Sequence, residues 1–289
     1  MNYILHLLIM IGIYSILAYS LNLVIGFSGL FSLTHAAFYG IGAYSFTLLM
    51  MKLHFPFIAA LIAAFLITGF LGFLLGLPAL RFRGDSFVLV TLGFQMIIFT
   101  IMYNWVGLTR GPYGIPGIPR PVIFGWHVDS LLEYLILIGL LNAVICFLLF
   151  TIYNSPFGLA LKSLREDEKA AEALGKPAYR YFLRSFSIGA AFAAIPGALY
   201  ATYVTYIDPT SFSLDESMFQ VVILLLGGSG NKRGPFLGVL IMTLLPEALR
   251  FLGLPDTIAP NVRQIIYGLI LVFLMYFRPQ GIAGEFAVK

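Results

Sequence analysis

The chain carries little charge. Of its 289 residues, 10% are Asp, Glu, Lys or Arg, whereas an average soluble domain has about 25%. Hydrophobic residues make up 60% of the chain, and the mean hydropathy is +0.94. This balance excludes an ordinary soluble domain and predicts a membrane protein. In a membrane protein, the formal net charge of +4 bears on which side of the membrane each loop occupies. We expect no nucleic-acid partner.

Cysteine and the common catalytic motifs are also scarce. Cys146 is the single cysteine, so no disulfide can form within the chain. The sequence has no HExxH, CxxC or Gly-x-Ser-x-Gly pattern, and its histidines are far apart: His6, His35, His54 and His127. It has no GxxxxGK[ST] loop, and the glycine-rich stretch GGSGNKRGP at 227–235 lacks the spacing that cradles phosphate. We expect no catalytic residue, metal site or cofactor, and no ATP binding by this chain.

What the chain has in place of charge is a series of long apolar segments. A helix that spans a membrane needs about 20 mostly apolar residues. The strands of a membrane barrel would alternate apolar and polar residues, and these segments show no such alternation. Nine segments are visible, with eight to ten as the range: 3–25, 29–51, 57–80, 86–106, 130–153, 184–206, 217–230, 234–252 and 262–278. The sequence predicts an all-α helical bundle in the membrane, one transmembrane domain over 1–289. The first segment lacks a basic flank, so we expect it to remain as a span.

The basic residues are distributed unevenly between the connecting loops. If the loop at 154–183 is cytoplasmic, twelve of the 17 Lys and Arg residues lie inside and five outside. Positively charged loops stay on the cytoplasmic side. The sequence therefore predicts an N-terminus outside and a C-terminus in the cytoplasm.

About a third of all charged residues fall in one short stretch, 162–184. They are Lys162, Arg165, Glu166, Asp167, Glu168, Lys169, Glu172, Lys176, Arg180 and Arg184. Each charge at the centre of a bilayer costs about 2.5 to 3.5 kcal/mol on insertion scales. This stretch must therefore lie in water.

The same loop reads as one amphipathic helix over 156–174. Ser155 suits an N-cap, Pro156 the first turn and Gly175 the residue after the last turn. One face is apolar, with Leu161, Leu164, Ala171 and Leu174. Two interpretations stay open: a solvated helix that rests on its own protein, or a docking helix for a cytoplasmic partner.

A second unusual stretch, 26–44, is rich in small residues. Gly29, Ser32, Ala36 and Gly40 recur every three or four positions. Such a face either lets helices pack closely or permits a break that exposes backbone to a water-lined path. His35 is an ionisable group within this segment, and is either functional or a neutral imidazole bonded to a neighbouring helix. Other polar side chains in spans, such as Asn22 and Gln95, commonly bond across helices.

Carboxylates are nearly absent from the apolar segments, with Glu133 and Glu247 near segment ends. Ion-coupled transporters commonly use intramembrane carboxylate or histidine relays. We therefore expect an energy source outside this polypeptide rather than an ion gradient.

The chain closely resembles the permeases of branched-chain amino acid ABC importers, and among them the LivM type. The resembling stretches are 21–44, 81–94, 108–119, 155–175, 197–212, 227–238, 244–250 and 277–284. The resemblance implies a multi-pass protein of the cell (inner) membrane that carries leucine, isoleucine and valine and forms half of a translocation pathway. It implies a LivH-type permease partner, two cytoplasmic ATP-binding subunits and a periplasmic or lipid-anchored substrate-binding protein. Relatives that move urea, short amides or other small polar solutes are the alternative, and a stand-alone carrier is another.

The resemblance also implies roles for individual residues. The segment at 155–175 corresponds to a coupling helix that sits in a groove of an ATPase subunit, and 172–175 resembles the family's Glu-Ala-Ala...Gly signature. We expect ATPase contacts from the polar side chains and anchoring to the permease from the leucines, the coupling set being Leu161, Leu164, Arg165, Glu166, Asp167, Glu172 and Gly175. The candidates for the translocation pathway are Asn22, Ser28, Ser32, His35 and Gln95. Thr34, Gln95-Met96 and Arg110 depart from the family pattern, which bears on the cargo.

Overall fold

The computed structural model describes residues 2–123 and 125–250, and beyond them 262, 265, 266, 268, 269, 272, 273, 276 and 280–284. The helices within 2–250 are α1 (Asn2–Leu21), α2 (His35–Leu53), α3 (Phe57–Ala79), α4 (Asp85–Asn104), α5 (Val106–Thr109), α6 (Leu131–Asn154), α7 (Pro156–Glu166), α8 (Glu168–Ala173), α9 (Ala178–Val204), α10 (Leu214–Gly227) and α11 (Gly234–Arg250). A π-helical turn, Asn22–Phe27, continues α1, and 3-10 turns lie at Gly111–Tyr113 and Pro209–Phe212. The predicted all-α membrane bundle is confirmed.

Six helices of the described residues are long and apolar enough to cross a membrane. They are α1 with its π-helical turn, α2, α3, α4, α6 and α9. The predicted segments at 217–230 and 234–252 correspond to α10, of 14 residues, and α11, of 17 residues. Most of the predicted segment 262–278 lies outside the described residues. The count of eight to ten spans and the orientation of the termini stay predictions.

The centre of the bundle is built from α1, α2 and α9, whose residues are mostly buried. Glycines let α2 and α3 approach α9 closely. A Cβ atom at Gly42 of α2 would lie 2.3 Å from the Cα of Ala194 in α9. A Cβ at Gly72 of α3 would lie 2.5 Å from the Cβ of Ala190, also in α9. The outer helices α3, α4 and α6 instead present apolar side chains outward, Leu66, Phe70, Leu89 and Phe147 among them, as helices in lipid do.

The predicted second segment is shorter than the sequence suggested. It was expected from residue 29, but α2 begins at His35, and residues 28–34 form an irregular connection after the π-helical turn. Gly29 lies at φ +70°, a left-handed conformation that ends the preceding turn. A break within 26–44 is therefore present, next to close packing at Gly40 and Gly42; exposure of its backbone to a water-lined path stays a prediction. We call residues 22–34 the broken segment.

The predicted single helix over 156–174 is also corrected, because it divides at Asp167. The Asp167 backbone is extended, and its side chain accepts a 3.0 Å hydrogen bond from the N–H of Ala170, so it caps α8. Leu174, expected on the apolar face, lies beyond the end of α8 and is 80% exposed. Ser155 caps α7 as predicted, by accepting a hydrogen bond from the N–H of Gly158.

The long connection between α4 and α6 carries short strands. β1 (Ile115–Pro116) pairs antiparallel with β4 (Tyr206–Ile207), which follows α9. β2 (Val122–Ile123) pairs antiparallel with β3 (Trp126–His127). The first pair ties this connection to the end of α9, at the opposite end of that helix from α8.

Candidate translocation and coupling site

The broken segment holds its polar groups in hydrogen bonds to surrounding helices. The Ser28 and Ser185 hydroxyl oxygens lie 2.6 Å apart, and each lies 3.1 Å from the carbonyl oxygen of Leu23, so one hydroxyl donates to that carbonyl and the other donates to its neighbouring hydroxyl. Ser185 belongs to α9, so this contact joins the broken segment to the centre of the bundle. Such bonding is required because unsatisfied polar groups in a membrane cost several kcal/mol each.

Asn22, at the start of the π-helical turn, bonds to the loop between α10 and α11. Its side-chain amide donates to the carbonyl of Asn231 at 3.0 Å and accepts from the N–H of Gly230 at 3.0 Å. Asn22 is fully buried. It therefore fixes the turn against a loop that is more than 200 residues distant in the sequence.

His35 and Ser32 also bond within the chain. The Nε2 of His35 shares a 2.8 Å hydrogen bond with the hydroxyl of Ser20 in α1, and the imidazole is buried. This matches the interpretation of His35 as a side chain bonded to a neighbouring helix. Ser32 bonds to Thr34, whose hydroxyl donates to the carbonyl of Thr91 in α4 at 3.0 Å.

Gln95 of α4 joins the first turn of α2 to the segment before α10. Its Oε1 accepts from the N–H of Ala37 at 2.8 Å, and its Nε2 donates to the carbonyl of Phe212 at 2.9 Å. The Ser217 hydroxyl accepts from the N–H of Ala36 at 2.9 Å and donates to the same Oε1 at 3.3 Å. Helix α2 thus starts inside the protein because side chains satisfy the N–H groups that every helix start leaves unpaired.

The five predicted pathway residues are held in separate hydrogen-bonded contacts. Asn22, Ser28, Ser32, His35 and Gln95 are all buried, but they bond to different elements. Ser28 also lines a cavity, which is described below. Their role in translocation stays a prediction.

The α7–α8 segment rests on the bundle through apolar side chains. Leu161 and Leu164 of α7 and Ala171 of α8 are almost completely buried. Polar contacts add to this: the Lys176 ammonium donates to the Ser163 hydroxyl at 3.1 Å, and a Glu172 carboxylate oxygen accepts from the N–H of Ala178 at 3.3 Å. The segment therefore packs as a folded pair of helices rather than as a loose loop.

The opposite side of the α7–α8 segment is open. Glu166, Asp167, Glu172 and Gly175 are exposed, and Gly175 takes a left-handed conformation with φ +81° that closes the turn after α8. Leu159 and Leu174 are exposed as well. Charged side chains and two leucines are therefore exposed together on this pair of helices.

Arg165 differs from its neighbours because its side chain turns toward its own chain. Its Nη1 donates to the carbonyl of Gly26 at the end of the π-helical turn, and its Nη2 lies 3.5 Å from the hydroxyl of Ser229. Burial lowers the pKa of this guanidinium from its usual value, and the nearby Glu166 opposes that change. Arginine keeps its charge in proteins, so Arg165 is a partly buried cation bonded to the broken segment.

A cavity of about 1050 Å³ is lined by residues of the broken segment, of α4 with the turn before it, and of the α7–α8 segment. Its wall includes Ser28, Phe31, Arg83, Asp85, Arg165 and Glu166. Charges of both signs and apolar side chains line it together. Across it, Arg83 forms an ion pair of 2.7 Å with Glu168, in which both side chains are partly exposed.

Sequence reasoning missed several residues of this region. Ser185, Thr91 and Ser217 complete the hydrogen bonds of the broken segment, but isolated Ser and Thr in apolar helices carry no distinctive pattern. The glycine-rich stretch 227–235 does not fit a phosphate loop and is part of a stretch that carries the family resemblance, but its contact with the broken segment was not predicted. Among the described residues, no group of three or more His, Cys, Asp or Glu could hold a metal ion.

The fold and this region define a multi-pass helical membrane protein in which, among the described residues, the first long helix gives way to a broken segment and a pair of short charged helices lies exposed on the bundle. The chain belongs to the family described as branched-chain amino acid transport system, permease component, which it matches over residues 3–275. It is thus a transport component of the membrane and not an enzyme.

Individual relatives agree with the family. The chain is 36% identical over 93% of its length to the high-affinity branched-chain amino acid transport system permease protein LivM of Salmonella typhimurium, covering 67% of that protein. The LivM protein of Escherichia coli strain K12 gives the same values. Identity to the LivH permease of Salmonella typhimurium is 28%, over 94% of this chain and 91% of that protein. No solved structure matches this chain. The resemblance to LivM-type permeases is therefore confirmed.

Proposed function

We propose that this chain is the LivM-type subunit of an ATP-driven importer for leucine, isoleucine and valine. It forms half of the translocation pathway, with a LivH-type permease as the other half. Two cytoplasmic ATP-binding subunits supply the energy, and a periplasmic or lipid-anchored binding protein delivers the amino acid. Family membership supports the transport role, and the similarity to branched-chain amino acid permeases supports the cargo.

The observation that carries the coupling part of this proposal is the two-sided character of the α7–α8 segment. Leu161 and Leu164 are buried against the bundle, while Glu166, Asp167 and Glu172 are exposed. A helix pair that is rigidly packed on one side and open on the other can be pushed by a partner without unfolding. We propose that this open side, with Gly175 closing its turn, docks in a groove of an ATPase subunit.

ATP binding would then draw the ATPase subunits together and move the α7–α8 segment with them. The segment continues directly into α6 at one end and α9 at the other, with short connections on both sides. Displacement of the segment would therefore tilt these two spans as rigid bodies. Rigid-body rocking of this kind provides alternating access in transporters.

Uptake by proteoliposomes tests the transport function. The chain is reconstituted with its second permease, its ATPase subunits and its binding protein, and radiolabelled leucine is supplied outside. We expect uptake only when ATP is present at the ATPase subunits, and competition by isoleucine and valine but not by urea or acetamide. Uptake that continues without ATP and follows an ion gradient would contradict the energy source, and competition by urea alone would contradict the cargo.

The sidedness of the α7–α8 segment needs its own measurement. Lys169 of α8 is exposed and can be replaced by cysteine in a Cys146→Ser background. We expect a membrane-impermeant maleimide to label this cysteine in inside-out vesicles and not in intact cells. Labelling in intact cells would place the segment outside and would remove the basis for ATPase docking.

A further inference from the structure

One side chain, Arg165, joins three separate parts of the chain. It belongs to α7, donates to the Gly26 carbonyl in the broken segment, and approaches Ser229 in the loop between α10 and α11. Gly29 lies directly against its aliphatic stem, because a Cβ at Gly29 would come within 2.9 Å of the Arg165 Cγ. The guanidinium and its stem therefore both contact the broken segment.

The loop that Arg165 reaches is itself held firmly. Asn22 bonds to it twice from the π-helical turn. The N–H of Ile282 donates to the carbonyl of Leu226 in the last turn of α10 at 3.0 Å, and the side chain of Asn231, in the loop itself, donates to the Ala283 carbonyl at 2.8 Å. Displacement of Arg165 would thus act on a braced junction and not on a loose loop.

We propose that Arg165 is a positioning residue that transmits the movement of α7 to the broken segment, whose residues Ser28 to Phe31 wall the cavity. This inference rests on the proposed function. A guanidinium presents several donors in a rigid planar fork, so it can hold a carbonyl and a hydroxyl on different segments at once. When α7 moves, the Gly26 carbonyl and the adjoining turn move with it, and the cavity wall changes.

The geometry favours this role over the ATPase contact that the resemblance implied for Arg165. The neighbouring Glu166 and Asp167 are exposed, whereas the Arg165 guanidinium is directed into the permease and hydrogen-bonded there. A second contact supports the same connection: the Lys162 ammonium lies 5.1 Å from the centre of the Phe27 ring. Helix α7 therefore holds the π-helical turn at two places, and Arg165 makes the directional bond.

Cysteine labelling in the assembled complex tests the inference. Phe31, a partly exposed residue of the cavity wall, is replaced by cysteine in a Cys146→Ser background, and the labelling rate by a small maleimide is measured without nucleotide and with ATP plus vanadate. We compare Arg165→Met and Arg165→Lys with the control Arg184→Met, which removes an exposed arginine of α9. ATPase subunit association is measured on each sample by co-purification.

We expect nucleotide to change the labelling rate at least threefold in the parent and in Arg184→Met. In Arg165→Met the ratio of the two labelling rates, with and without nucleotide, should fall to about one while ATPase subunits still co-purify. Arg165→Lys keeps the positive charge but loses the planar set of donors, so its ratio should lie between those of the parent and of Arg165→Met. If Arg165→Met does not assemble, the Arg165→Lys ratio decides. If Arg165→Met loses ATPase association together with the change in labelling rate, Arg165 is a docking contact and the inference is overturned. A labelling ratio in Arg165→Met equal to that of the parent would also overturn it. So would a parent protein whose labelling rate does not respond to nucleotide.

This readout separates the inference from the proposed cargo. Maleimide labelling needs no amino acid, so the transmission can hold even if leucine is not transported. Leucine uptake that survives in Arg165→Met with a ratio of one would show that movement of the broken segment is not required for transport.

Discussion

The exposed Leu174 gives the sharpest test of the proposed docking surface. It follows the last turn of α8, beside Glu172 and Gly175, and 80% of it is accessible to solvent. The permease alone gains nothing from an apolar side chain in that position. An ATPase groove that covers it would gain the free energy of burying it, so the substitution Leu174→Ala should weaken association without destabilising the permease.

The expected loss follows from the exposed fraction. Leucine exceeds alanine by three carbon atoms, each worth about 0.8 kcal/mol when fully buried. Scaled by the 80% of Leu174 that remains to be covered, the loss is about 2 kcal/mol. Because about 1.4 kcal/mol corresponds to a factor of ten, the dissociation constant of the ATPase subunit should rise roughly 30-fold.

Titration of purified ATPase subunit onto the permease pair in nanodiscs measures this constant. Tyr113→Ala is the matched control, because Tyr113 is 81% exposed but lies in the connection between α4 and α6. We expect the control to bind ATPase as the parent does. A Leu174→Ala permease that binds within threefold of the parent, with an unchanged thermal midpoint, would refute the assignment of Leu174 to the docking surface.

Three further changes test the packing and the polar contacts. Gly42→Val should lower the thermal midpoint by several degrees, because a Cβ would lie 2.3 Å from the backbone of α9 and overpacking costs about 1 to 3 kcal/mol; Gly93→Ala, which meets nothing within 4 Å, is its control. Arg83→Ala and Glu168→Ala in a double-mutant cycle should give a coupling below about 1 kcal/mol, since both side chains are partly exposed. Asn22→Ala leaves a buried N–H without its acceptor and should cost about 1 to 3 kcal/mol, seen as a lower midpoint in a fluorescence melt, and an unchanged midpoint would contradict that.

The long helices could be predicted because a single property decides them. An apolar run of about 20 residues has few alternatives in a bilayer, where every backbone group must be paired within the segment. The predicted segment 57–80 is accordingly found as Phe57–Ala79, and 130–153 as Leu131–Asn154. The sixth segment was placed too late, since α9 begins at Ala178 and its first turns carry the charged Arg180 and Arg184.

The broken segment could be suspected but not placed from sequence. Its stretch of small residues was compatible with either close packing or a break, and local pattern gives no means to choose. The choice depends on distant partners: Gln95 and Ser217 satisfy the N–H groups at the start of α2, and Thr91 bonds to Leu33. A break inside a membrane protein is tolerated only where such partners exist, and they become visible only when the helices are assembled.

The glycine-rich stretch 227–235 shows the same limit most clearly. As a phosphate loop it has the wrong spacing, yet its glycines are required for another physical reason. Gly228 lies at φ +108°, and a Cβ there would come within 2.2 Å of the Gly284 nitrogen, so the end of α10 and the 281–284 segment meet backbone to backbone. Ser229, between Gly228 and Gly230, is thereby brought within reach of Arg165. The stretch that lacks a nucleotide-binding pattern thus forms the loop that α7 contacts through Arg165, and the proposed transmission of movement by Arg165 depends on that contact.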